Sequence, residues 1–307
     1  MKFFYFLIYL FLITNSTFAQ KIHLKINEDA AYFTEENDSI LVYQIAEKSI
    51  NEKYARNNYI HPLYNLNGEI LTEDFPKDHL HHRGIFWAWH QLYVGNKRIG
   101  DGWELKNFSQ DVISVKKNKI KGNSKSIKTM VLWKSNLWLD KNGDEKPFVK
   151  ETSTITVYPK ESEYRLIDVK ISMIALEPNV YIGGSENAKG YGGFSARIKL
   201  SEKTKFTGHK GTVTPKNLPV TSEGWIDISE NFDDINLSNG VTIISHANNP
   251  GYPNPWILRS KNSMQNAVFP GAKLIPLSET KPITLHYSLL VHKGSIQNIN
   301  IEKIYKK

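Results

Sequence analysis

Apolar residues in this chain recur at every second position, segment after segment, and that alternation constrains the fold more than any other feature. Ile22 to Ile26 alternates, as does Ser39 to Ile45 around Leu41-Val42-Tyr43. Ser126 to Leu139 carries Met130, Leu132, Leu137 and two Trp, and Glu151 to Tyr158 is the β-branched run ETSTITVY. Arg165 to Leu176 alternates through Leu166, Val169 and Ile171; Val241 to Ser245 and Pro282 to His292 complete the set. These runs are rich in Val, Ile, Thr and Tyr and end at Gly, Pro, Asn or Asp, which is the make-up of strands. Asp140-Lys-Asn-Gly-Asp144 predicts a hairpin turn on its Asn-Gly pair. No stretch longer than about ten residues keeps a clean helical period of ~3.6. The tail from Ser295, with Ile296, Ile299 and Ile304 near one face, predicts a short helix.

No repeat, low-complexity linker or composition break divides the chain. The pattern therefore predicts an all-β protein: one large antiparallel β-sandwich over residues 20–307 with a short helical tail, or alternatively a jelly roll. Segments 62–84, 183–193 and 248–256, dense in Gly, Pro and Asn, become loops at its rim, where function is commonly carried.

Residues 1–19 read as a signal peptide, with Lys2, an apolar core from Phe3 to Ile13 and Thr17-Phe18-Ala19 as cleavage site before Gln20. That core is shorter than the ~20 residues a helix needs to span a bilayer. The expected location is the periplasm or the exterior, with no membrane insertion after cleavage. The 307 residues include no cysteine, which excludes thiol catalysis, Cys-ligated zinc and disulfides. The formal net charge is +8, but 33 of the 39 basic residues are scattered Lys. The densest basic stretch, Lys116 to Lys128, has no interleaved aromatics and reads as a solvated hairpin. No nucleic-acid partner is expected, and oligomeric state is left open.

Chemistry concentrates in one region. Four of the ten His fall at His79, His81, His82 and His90, with His61 just upstream. They lie among Asp78, Arg83, Trp87, Asp101 and Trp103. Imidazoles exchange protons near neutral pH, and polar groups among aromatic walls make a small-ligand cleft. His81, His82, His90 and Asp101 are the candidate acids and bases. His61, His79 and Arg83 are candidates for substrate binding, with Trp87 and Trp103 stacking on a ring and Arg83 gripping a carboxylate or sulfate. Arg197 follows the Gly-rich segment, and Trp256 and Arg259 end the Pro-rich one, so all three are expected to approach the cleft and the two arginines to make it positive. No cofactor is expected. A divalent metal held by His79 and His81 with Asp78 or Asp101 is a further option, although the spacing matches no strong zinc signature. His246, His286 and His292, in or beside strands, read as packed residues.

The string HPLYNLNGEILTEDFPKDHLHHRGIFWAW, with KGYGGFSARI, PNPWILR and ITLHYSLLVHKG, resembles a secreted bacterial family labelled PmoA, or methane oxygenase. The resemblance runs from about Tyr59 to Gly294. It implies a sugar-processing protein of bacteria that degrade complex polysaccharides. The order of features is also similar to the galactose-mutarotase-like supersandwich, in which a His serves as acid and a late Glu as base; here the late stretch Lys273 to Glu279 offers only Glu279. The expected function is His-mediated proton transfer on a sugar by an epimerase, lyase or hydrolase, with a positive cleft favouring an acidic sugar. The alternative is a non-catalytic carbohydrate-binding protein.

Overall fold

A computed structural model describes residues 21–230 and 239–305. The expected signal peptide lies outside the described residues. Strands dominate, and they assemble into two large sheets. One has eight strands, from edge to edge Ile22–Ile26, Ala30–Glu35, Asp38–Gln44, Tyr59–Leu63, Ile85–Ala88, Gly193–Ala196, Gln265–Val268 and Trp256–Ile257. The other has nine: Ser109–Asn118, Lys125–Lys134, Val149–Val157, Tyr164–Ala175, Ile283–Lys293, Asn239–Ser245, Trp225–Glu230, Thr204–Gly208 and Gly211–Thr212. The neighbouring strands pair antiparallel throughout. Among the described residues, a four-stranded sheet (Ile275–Pro276, Val180–Gly183, Gln91–Val94, Lys97–Gly100) and a two-stranded one (Lys48–Ile50, Lys53–Arg56) accompany them.

The two large sheets close on one apolar core. Phe33, Leu41, Ile85 and Trp87 of the first and Ile127, Val131, Val169 and Leu289 of the second belong to the same buried cluster. Alternation explains the arrangement. Tyr164–Ala175 buries Ile167, Val169, Ile171 and Met173 while the intervening residues face outward. The protein is thus a large antiparallel β-sandwich, and sheets of eight and nine strands exceed the about eight strands in all of a jelly roll. The run expected from Ser126 to Leu139 leaves the sheet at Lys134. Leu137 and Leu139 are exposed where the chain turns, because Asp140 Oδ1 accepts from the N–H groups of Asn142 (2.7 Å) and Asp144 (3.0 Å). The tail forms a 3-10 turn, Ile296–Asn298, and a helical turn, Ile301–Tyr305; Ile296 and Ile301 pack on Ile244 and Leu290.

A carboxylate sits inside this core. Glu151 is fully buried and accepts hydrogen bonds from Trp87 Nε1 (2.9 Å), Trp133 Nε1 (2.9 Å), Ser153 Oγ (2.6 Å) and Asn58 Nδ2 (3.0 and 3.1 Å). Burial pushes its carboxyl up, and those hydrogen bonds pull it back down without cancelling the rise.

Candidate functional site

The Ile85–Ala88 strand sorts the aromatic segment onto two faces. Trp87 and Trp89 point into the sandwich core, while Phe86, Ala88 and Trp103 form a separate cluster on the outer face. His90 follows them outward and stacks on Trp103, with ring centroids 5.3 Å apart and planes 20° off parallel. Upstream, residues 76–83 do not form a regular strand: the N–H of His79 donates to Pro76 O (3.0 Å) and that of His82 to His79 O (2.9 Å). The turn lets consecutive imidazoles share one face, which a strand would forbid. Its exit needs Gly84, at φ +49°, where a Cβ would stand 2.1 Å from Ile60 O.

Four of the expected imidazoles therefore meet. The centroids of His81 and His82 are 4.6 Å apart, those of His79 and His82 also 4.6 Å, and His82 lies 5.9 Å from Trp103. Burial, reinforced by neighbouring cations and imidazoles, lowers His81 to about 4 against the opposing pull of Glu104. Burial, His81 and His79 lower His82 to about 2. Both rings are therefore neutral at pH 7. Glu104 Oε1 is 3.7 Å from His81 Nε2, so Glu104, rather than Glu279, is the glutamate beside the imidazoles. The buried atoms His82 Nδ1 and His90 Nε2 have no hydrogen-bond partner.

Asp101 has a positioning role. Its Oδ2 lies 3.0 Å from His90 Nδ1, and its Oδ1 accepts from the N–H groups of Trp103 (2.9 Å) and Glu104 (2.8 Å). One carboxylate thereby orients His90 and shapes the loop that presents Trp103 and Glu104. Arg56 supports that loop from beneath, donating to the carbonyls of Gly102 (2.9 Å) and Trp103 (3.3 Å) and lying over the Phe86 ring. Burial beside Arg83 lowers it to about 9.

Several expected members are placed elsewhere. Trp87 faces the core and donates to Glu151, and Trp256 is also sealed in the core, so neither offers a face to a sugar. Trp103 belongs to the site, but at 1% exposure its faces are already covered. Arg83 is completely buried and grips Asp74, the Tyr59 hydroxyl (2.6 Å) and the carbonyls of Lys48 and Tyr54. Arg197 is 2% exposed and binds Asp78 with both Nη atoms and Glu73 through Nε. Burial raises the Asp78 carboxyl, but the hydrogen bonds from Arg197 and His79 outweigh it and hold the group well below the usual carboxylate range. Arg83, expected to grip an anion, and Arg197, expected with Arg259 to make the cleft positive, are thus both neutralised internally. Arg259 stays half-buried at the edge, donating to the carbonyls of Lys216 (2.8 Å) and Asn217 (3.2 Å) and lying within electrostatic reach of Tyr191. His61 contacts Thr72 Oγ1 (2.9 Å), and burial lowers its pKa. Among the described residues, the groups that gather three ligand atoms do not include His79 or His81.

Two residues escaped the sequence reading. Tyr191 is half-buried and meets His90 edge-on at 4.9 Å and Trp103 at 5.1 Å, which makes it the accessible aromatic of the face. Its signal was an aromatic set between Gly190 and Gly192. Glu104 was visible only as part of Gly-Asp-Gly-Trp-Glu, with nothing to mark its proximity to His81.

Comparison with other proteins adds little chemistry. The search of curated proteins finds no match. A solved structure with some likeness is the alpha-galactosidase from Lactobacillus brevis, at a TM-score of 0.42 and 6% identity. The likeness covers 90% of this chain and 40% of that one, so this chain spans well under half of that protein's length. The methane-oxygenase label gains no support. Residues 31–306 match the profile described as "Family of unknown function (DUF6807)", and by that match over most of its length the chain belongs to this family.

Proposed function

We propose that this protein is an exported carbohydrate-active protein whose His81–His82–His90 face moves a proton on a sugar. The observation that carries the reading is the Asp101–His90 pair: Nδ1 is bound to the carboxylate, and buried Nε2 has no partner. A carboxylate on one nitrogen fixes the tautomer and leaves the other as a base. His90 is the general base in this reading, His82 or His81 the second proton carrier, and Tyr191 the ring that meets the sugar. Both unpartnered nitrogens are covered, so substrate entry requires the half-buried Tyr191 or the more exposed His79 to swing aside. Asp101 is occupied by its loop and by His90, which leaves Glu104 without a carboxylate partner. Proton transfer at a ring carbon, as in an epimerase or lyase, fits this better than paired-carboxylate hydrolysis. An acidic sugar would find Arg259 as its cation.

The test is incubation with neutral and uronate oligosaccharides in D2O, following deuterium uptake at carbon and release of new reducing ends. His90→Gln should lower turnover by ~10²–10⁴-fold, the usual worth of a positioned acid or base, with sugar affinity in calorimetry largely kept. Binding by the wild type without turnover would identify a non-catalytic carbohydrate-binding protein instead. Full turnover in both His90→Gln and the His81→Gln/His82→Gln variant would refute the proposal.

A further inference from the structure

A second polar cluster lies on the nine-stranded sheet, assembled from three segments far apart in sequence. Tyr164–Ala175 and Asn239–Ser245 flank Ile283–Lys293 on its two sides. The register sets Asp168 opposite Ser288 and Lys170 opposite His286. His246 follows the end of its strand, its N–H donating to His286 O at 3.1 Å. The two imidazoles stack with centroids 3.5 Å apart and planes 14° off parallel. His246 Nε2 lies 2.9 Å from Ser288 Oγ, which donates to Asp168 Oδ1 at 2.6 Å; His286 Nε2 is 4.0 Å from that same oxygen. The Tyr158 hydroxyl holds the other oxygen, Asp168 Oδ2, at 2.9 Å.

These residues line a cavity of about 1100 Å³ bounded on another side by the C-terminal segment through Ser295 and Ile299. One ligand atom from each of Asp168, His246 and His286 lies within 4.8 Å of the others. Among the described residues, no other set of three His, Asp or Glu is gathered in this way.

We propose that Asp168, His246 and His286 form a binding site for a divalent cation of the zinc class. Two imidazole nitrogens and one carboxylate oxygen suit borderline ions such as Zn2+, whereas Mg2+ and Ca2+ call for more oxygens. Zinc ligands stand ~2.0–2.2 Å from the ion, so the three atoms must draw together by about an ångström, a movement within reach of side-chain rotation. Ser288 now bridges His246 to Asp168, two of the three groups the ion would join. On binding, its hydroxyl leaves the imidazole and remains a donor to Asp168. Tyr158 and Ser288 then orient the carboxylate from behind, as partners of metal ligands commonly do. Three protein ligands beside a cavity leave the ion an open coordination position, the arrangement of catalytic rather than purely structural zinc. The proposal is independent of the His81–His82–His90 reading.

The test loads the chelator-treated full chain with Zn2+, and separately with Co2+, and measures bound ion by equilibrium dialysis and the visible spectrum of Co2+. One ion per chain is expected, with tetrahedral or five-coordinate Co2+ bands. His246→Ala and Asp168→Asn should lose binding at least ~100-fold, and Ser288→Ala, which keeps all three ligands, should lose ~10–100-fold. His81→Gln/His82→Gln should bind as the wild type does. Zn2+ should also raise the melting temperature of the wild type and not that of the ligand variants, provided that circular dichroism shows those variants folded. The proposal is overturned if the wild type binds no ion, if folded His246→Ala and Asp168→Asn bind normally, or if the His81/His82 variant is the one that loses it.

Discussion

Every nitrogen of the Arg83 guanidinium has a partner inside the protein, and its plane lies 3.5 Å from the centre of the Phe75 ring. A side chain so engaged cannot grip a substrate anion without leaving Asp74 and two carbonyls unpaired, a loss of ~3–5 kcal/mol for a broken buried ion pair. In the sequence, Arg83 beside three His looked like a ligand contact; its role is to tie the loop that carries those His to the Tyr59–Leu63 strand. The imidazoles raise the opposite question, since they are buried yet carry no countercharge of comparable strength. His81 and His82 fall from 6.5 in an unfolded chain to about 4 and about 2 in the fold, so the unfolded state binds the extra protons. The stability that comes from keeping them neutral is complete above pH 6.5 and lost as the pH falls, ending near 4 for His81 and near 2 for His82. For His81 alone the loss is on the order of 3 kcal/mol. Urea unfolding between pH 7 and pH 4 should show the midpoint dropping, and His81→Gln/His82→Gln should flatten the slope. An unchanged slope would mean that the imidazoles are not buried as neutral rings.

At the scale of elements, the Gly-rich stretch serves geometry. Gly184 and Gly190 pack backbone against backbone, and a Cβ on Gly184 would stand 2.2 Å from Gly190 O. Nothing flexible can yield there, so Gly184→Ala should open the loop that carries Tyr191. Trypsin should then cut at Lys189 sooner than in the wild type, whereas equal rates would show that the contact is dispensable. The strands themselves were legible, because alternation over Ile22–Ile26, Val149–Val157, Tyr164–Ala175 and Ile283–Lys293 states which face is buried. The same rule puts Trp87 and His90 on opposite faces, which is why Trp87, expected in the cleft, faces the core instead. Pairing was not legible. Ile283–Lys293 lies between Tyr164–Ala175 and Asn239–Ser245, and no local pattern announces partners more than 100 residues apart, as Asp168 and Ser288 are. His246 and His286 therefore read as isolated packed residues. The clustering of His79, His81, His82 and His90 was legible because they are close in sequence; the turn that reconciles them is a matter of loop geometry.

For the molecule as a whole, the shared core couples the two sheets. The Arg165–Glu35 ion pair (2.8 Å) adds a buried link between Ala30–Glu35 in one sheet and Tyr164–Ala175 in the other. Because Trp87, Trp89, Trp133 and Trp256 all lie in the common cluster, tryptophan fluorescence and far-ultraviolet circular dichroism should report one coincident unfolding transition. Separate midpoints would divide the chain into independently folding parts. Apolar packing alone does not forbid one sheet from sliding a residue past the other, since hydrophobic attraction has no direction. The carboxylate of Glu151 does forbid it. It takes donors from Trp133 and Ser153 in its own sheet and from Trp87 and Asn58 on the side of the other, and a slip would leave Trp87 and Asn58 without an acceptor in a dry interior. Glu151 acts as an indexing pin between two plates. Since the indoles on either side end on the same carboxyl group, the colour of their emission gauges whether the plates are aligned.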